Sequence, residues 1–188
     1  IYLQGDAQDD AVFGDGVRLH GFATRKYLEE VALPQIEAGL RQGGRPRSSF
    51  EVWGGGFVLA GADDAEGAKQ TEVGRYRIAF YGSTRSYHGV FAVHGWEDLG
   101  HELHAMSKRG QWSEMARRVP DEVVRTFAAV GRYDEIAALI GERFGGVSDT
   151  ERRHRRDVLD RGVRSGDPGV RLRGPVPLLR SRCRGVLG

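Results

Sequence analysis

The sequence predicts an α/β fold with parallel strands and helices outside the sheet, on three observations. Short apolar runs alternate with amphipathic helical stretches. The helical stretches carry their apolar residues on one face. Up to residue 146 there are only three good strands, too few for a self-sufficient sheet of this kind, so the sheet reads as incomplete.

Ile1-Tyr2-Leu3 reads as a buried strand ending at Gly5, followed by an acidic stretch from Asp6 to Asp10. Asp15 and Gly16 give turn residues, and Val17-Arg18-Leu19-His20 a second short strand. Thr24 suits the N-cap of a helix from Arg25 to Gln42, on which Leu28, Ala32, Ile36 and Leu40 recur every fourth position. Pro34 should kink this helix by removing one backbone bond, and Gly43-Gly44 should stop it. Phe50 to Leu59 is the third strand, interrupted by Gly54-Gly55-Gly56. Asp63 and Asp64 suit the positive end of a helix running to Tyr81, with Ala65, Ala68, Val73, Tyr76 and Phe80 expected on its inner face. A long helical region follows, with Trp96, Leu99, Leu103 and Met106 on one segment and Trp112, Met115 and Val119 opening another. Phe127 to Val130 fits either a short strand or a last helical turn. Asp134 to Phe144 is helical by pattern, and Gly145-Gly146 ends it.

With 188 residues the chain is long enough for one domain with a core. No apolar run approaches the roughly 20 residues that span a bilayer, and no signal peptide is visible, so no membrane partner is expected. Cys183 is the single cysteine, which excludes an internal disulfide and fits a cytoplasmic location. The chain opens on Ile1 within a strand-like stretch, and an upstream part is expected. The formal charge of +2 hides an asymmetry: residues 151–188 hold eleven arginines, no lysine and four acids. Two parts are therefore expected, 1–146 as the folded part and 147–188 as an arginine-rich tail, disordered or read out of frame.

Three stretches, DGVRLHGFATRKYLEEVALPQIEAGL, RIAFYGSTRSYHGVFAVHGWEDLGHELHAMSKRGQW and TFAAVGRYDEIAALIGERFGG, resemble the luciferase-like superfamily, specifically its F420-dependent oxidoreductases. The resemblance covers residues 15–146. It implies a partial (β/α)8 TIM barrel, the C-terminal half with about strands five to seven, and a helical insertion over the mouth. IYLQG would be strand five, DGVRLHGF strand six and FEVWGGGFVLAG strand seven. The full barrel typically needs about 250 residues. The cofactor implied is F420, with FMN as the alternative, and the reaction is hydride transfer to or from a small organic substrate. The fragment alone is expected to be inactive, and the full-length family implies a homo-oligomer.

Two stretches depart from the family pattern. The loop after strand five carries Asp6, Asp9 and Asp10, which would repel a cofactor phosphate. Strand eight should follow Gly146, yet Val147-Ser148-Asp149-Thr150 runs into Glu151-Arg152-Arg153-His154-Arg155-Arg156, which a buried strand cannot contain.

The resemblance places Gly5, His20, Gly21 and Phe22 at strand ends, where barrel enzymes carry their chemistry, and makes them the cofactor-binding candidates. Ordinary loop turns are the competing explanation. No general acid or base is nominated. For Gly54 to Gly56, packing against a neighbour is favoured over approach of a flat cofactor. His101-Glu102-Leu103-His104 has histidines three apart rather than the four of the zinc signature, so no metal is expected. Arg25 and Lys26 could attract the cofactor's acidic tail, or Arg25 and Lys26 could pair with Glu29 and Glu30. The competing class is a non-enzymatic protein whose tail binds nucleic acid. The tail's lack of aromatic residues and of an amphipathic repeat argues against that partner.

Overall fold

The structure, a computed structural model, describes residue 11 and residues 14–149. The expected strand at Ile1 to Leu3, with Gly5, and the tail from Thr150 onward lie outside the described residues.

Strand β1 (Gly16–Arg18) pairs in parallel with β2 (Glu51–Trp53), with Val17 opposite Val52. Both valines are buried, and Leu19 extends the pairing by donating its N–H to the Trp53 carbonyl at 2.7 Å. Between the strands runs one long helix, α1, in three contiguous segments: α-helical Arg25–Tyr27, π-helical Leu28–Ala32 and α-helical Leu33–Gln42. Its expected stripe holds, because Leu28, Ala32, Ile36 and Leu40 are all buried. Ile36 and Leu40 join Val17, Phe50 and Val52 in one apolar cluster. The kink expected at Pro34 takes the form of the π turn immediately before it. Leu33 donates to the Leu28 carbonyl, five residues back, so the helix widens where the proline ring removes a donor. Gly44, at φ +63°, then ends α1.

The expected continuous strand from Phe50 to Leu59 is broken in two. β2 stops at Trp53, and β3 (Phe57–Gly61) pairs in parallel with a different strand, β4 (Ala128–Arg132). The glycine run makes the break. Gly54 takes φ +98°, and a Cβ on Gly56 would lie 2.2 Å from the Phe127 carbonyl oxygen and 2.6 Å from the Phe144 ring. These close neighbours are protein atoms, as the packing explanation requires. The described residues therefore hold two parallel two-stranded sheets. The stretch that fitted either strand or helix divides between them, since Phe127 closes a helix and Ala128 opens β4.

Helix α2 (Asp64–Gly82) begins as expected, with the Asp63 carboxylate accepting from the Glu66 N–H at 2.8 Å. Its inner face, however, is not the expected one. Gly74, Ile78, Ala79 and Gly82 are buried, whereas Val73, Tyr76 and Phe80 are 43–47% exposed. The glycines form a notch: a Cβ on Gly74 would sit 2.3 Å from Leu59, which projects from β3. Close helix–strand contact outweighs the burial of larger side chains on the opposite face.

The insertion follows as α3 (His88–Ala92), α4 (Glu97–Lys108), α5 (Trp112–Met115) and α6 (Asp121–Phe127). Phe91, Leu103, Met115, Val124 and Phe127 are fully buried in the largest apolar cluster, together with Phe22 and Ile78. β4 then leads into α7 (Ile136–Phe144), whose Phe144 packs with Ala23, Leu28 and Val147. Past Gly146, Val147 and Ser148 are buried, and Asp149 donates its N–H to the Val52 carbonyl at 2.8 Å. None of the described helices is long and apolar enough to cross a membrane.

Candidate functional site

The segment after β1 turns His20, Gly21 and Phe22 toward the insertion and the end of α2. The His20 ring lies edge-on to Tyr81 at 4.7 Å and tilted against Tyr87 at 5.2 Å. Its Nδ1 accepts the Phe22 N–H at 3.0 Å, which leaves the proton of the neutral ring on Nε2. Burial holds His20 below the ordinary histidine range, so at neutral pH it is an uncharged hydrogen-bond donor. Burial also pushes the Tyr27 and Tyr87 hydroxyls up, which keeps both protonated.

Phe22 is 2% exposed, with its ring against Phe127 at 4.5 Å and Tyr87 at 5.3 Å. Its side chain is part of the core, and only its backbone remains for a ligand. Gly21 faces the Phe57 ring, which a Cβ would approach to 3.2 Å. The structure thus brings three of the four cofactor candidates together, while Gly5 lies outside the described residues. The crevice beside His20, lined also by Tyr27, Gln35, Ser86 and Tyr87, holds about 40 Å³. That is space for about one water molecule and far below the roughly 300–1,000 Å³ of small-molecule pockets. The crevice beside His20, as the described residues form it, is therefore too small for a flavin-sized ring.

A second, larger space opens on the other side of Thr24. This cleft of about 670 Å³ is lined by Arg25, Lys26, Glu29, His94, Asp121, Glu122, Arg125, Thr126 and Arg143. Thr24 caps α1 by accepting the Tyr27 N–H at 3.2 Å, and its hydroxyl is hydrogen-bonded to His94 Nε2 at 2.8 Å. His94 stacks on Trp96, with centroids 4.4 Å apart and planes 15° from parallel. Burial, and then the Lys26 charge, hold His94 below its ordinary range. Arg25 makes the ion pair with Glu29 at 2.8 Å that its spacing predicts. It also donates to the Arg143 and Gly145 carbonyls, both at 3.1 Å, and so caps the end of α7. Lys26 is exposed and makes no ion pair among the described residues.

Sequence reasoning missed Tyr81, Tyr87, His94, Arg125 and Arg143 as neighbours of these spaces. They come from the insertion and from α2, α6 and α7, and only the pairing of His94 with Trp96 two residues on offered a local signal. The histidines of α3 and α4 lie close to one another. His88 lies 5.5 Å from His101 and 6.3 Å from His104 by ring centroids, and His104 is bonded to the Ser83 carbonyl. Among the described residues no three His, Cys, Asp or Glu side chains converge as metal ligands.

A family model described as luciferase-like monooxygenase matches residues 8–150. Uncharacterized proteins of Mycobacterium tuberculosis and Mycobacterium bovis are each 45% identical over 135 residues, covering 72% of this chain and 40% of their own length. The chain thus spans about two fifths of the curated relatives it matches. Among solved structures, the coenzyme F420-dependent tetrahydromethanopterin reductase of Methanopyrus kandleri is similar in fold. It has a TM-score of 0.56 at 18% identity, over 72% of this chain and 38% of the reductase.

Proposed function

Because this chain belongs to the luciferase-like monooxygenase family, a family of oxidoreductases, we propose that it is the C-terminal part of such an enzyme. The full enzyme would pass hydride between reduced F420, or alternatively reduced FMN, and a small organic substrate. The F420 dependence named for the Methanopyrus kandleri reductase favours the deazaflavin. The cofactor supplies the hydride chemistry when bound, and the protein positions and desolvates it.

The observation that carries this reading is the neutral His20 with its proton fixed on Nε2, at the carboxyl end of a parallel strand. Such strand ends are where α/β folds place their ligands. His20 would donate a hydrogen bond to the ring system, and Tyr81 and Tyr87 would wall its edge and limit water. Since the crevice here holds only about 40 Å³, the remaining walls must come from outside the described residues. No step through the cofactor is assigned to these residues alone.

A fluorescence titration with F420 tests this in two arms. The chain alone should show no saturation below about 100 µM. Mixed with the preceding portion of a mycobacterial relative it should bind, and His20→Ala should weaken that binding about fivefold, the worth of one neutral hydrogen bond. Micromolar binding by the chain alone, or indifference of the reassembled protein to His20→Ala, would overturn the proposal.

A further inference from the structure

The cleft beyond Thr24 has a charge balance that the hydride reading does not use. Of its acids, Glu29 is paired with Arg25, and Asp121 is held by Arg75 from outside the cleft. The Arg75 guanidinium keeps the Asp121 carboxyl below the usual carboxylate range. Glu122 is left against three cations, Lys26, Arg125 and Arg143, none of which forms an ion pair with a carboxylate among the described residues. Arg143 donates to the Thr126 carbonyl at 2.8 Å, and burial lowers its affinity for the proton. A partly desolvated guanidinium with a carbonyl as its partner gains from a nearby anion.

The helix termini point the same way. The first turn of α1 opens on this cleft and carries no acidic residue, its Tyr27 N–H being capped by the neutral Thr24 hydroxyl. The negative end of α7 also reaches the cleft, but the Arg25 guanidinium already takes up its last carbonyls. The space, about 670 Å³, is the size of a small-molecule pocket and much larger than one inorganic ion.

We propose that this cleft is a binding site for a small organic oxyanion, a phosphate ester or a polycarboxylate, contacted by Lys26, Arg125 and Arg143. His94 supplies a built-in reporter, because it lines the cleft and stacks on Trp96. Replacing the two exposed indoles, Trp53→Phe and Trp112→Phe, leaves Trp96 as the sole tryptophan. The full chain is then titrated with inorganic phosphate and, separately, with citrate at constant ionic strength.

Trp96 emission should change saturably below about 10 mM. Lys26→Ala with Arg125→Ala should weaken the response at least about tenfold. Arg41→Ala with Arg109→Ala, away from the cleft, should leave it unchanged. Whichever probe binds more tightly assigns the class of ligand. Absence of saturation, or equal affinity in the Lys26/Arg125 variant, would overturn the proposal, the latter assigning the response to other cations such as the arginine-rich tail. Because neither probe is F420 or a flavin, this outcome is independent of the role proposed for His20.

Discussion

His20, His88 and His94 are all held below the ordinary histidine value near 6.5, burial being the first cause in each case. The His88 Nε2 is buried and has no hydrogen-bond partner among the described residues. In the unfolded chain these rings take up protons as pH falls through about 6.5, whereas the folded protein resists until lower pH. The unfolded state therefore binds more protons in that window, so stability should be flat above it and fall on the acid side. The melting temperature should be lower at pH 5.5 than at pH 7.5, and His88→Phe should reduce that difference. An unchanged melting temperature across this range would contradict the assignment. At this scale the sequence offered His20 as a candidate through its place at a strand end and the family resemblance. It gave no sign of Arg125 or Arg143, because their proximity arises only when α6 and α7 converge on the start of α1.

The helices show which elements periodicity can and cannot resolve. α1 follows the simple rule, its largest apolar residues lying four apart and buried. α2 defeats the rule because its contact with β3 depends on closeness rather than bulk. Counting apolar residues selects Val73, Tyr76 and Phe80, while the buried face is Gly74 against Leu59 of β3, Ile78, and Gly82 against Phe91 of α3. Substitutions on the two faces should separate accordingly in urea denaturation. Gly74→Ala, forced against Leu59, should cost about 1–3 kcal/mol. Tyr76→Ser, on the exposed face, should cost less than about 1 kcal/mol. Equal losses would mean that both faces are packed. The break in the third strand was similarly hidden. Gly54 to Gly56 marked a special site in the sequence, but the split into two pairings depends on Phe127 and Phe144, more than 70 residues later. Gly56→Ala should therefore destabilise the fold by at least about 2 kcal/mol, since its Cβ would meet a backbone carbonyl that cannot move aside cheaply.

At the scale of the whole molecule, the described strands come as two separate parallel pairs. Parallel strands are stable when both faces and both neighbours are covered, and two two-stranded pairs fall short of that. The described residues show part of the deficit. Trp53 and Val58, on β2 and β3, are 43% and 48% exposed, and Tyr133 just beyond β4 is 60% exposed. At the other end, the charge run expected to forbid a strand after Gly146 lies outside the described residues, whereas Val147, Ser148 and Asp149 are described. Val147 and Ser148 are buried and Asp149 bonds to β2, so the chain lies beside that strand before the arginines begin. A sheet in this condition gains most from added strands. Supplied with the portion of a mycobacterial relative that precedes the matched region, the chain should form a complex that co-elutes in gel filtration. Its thermal transition should become sharper and move upward, because new pairing buries apolar surface that the chain alone leaves in water. Alone, it should melt broadly and bind a hydrophobic dye. A sharp, dye-silent transition of the isolated chain, unmoved by the added portion, would show that the two strand pairs and the insertion already form a complete folding unit, and the incomplete-sheet account would then fail at its root.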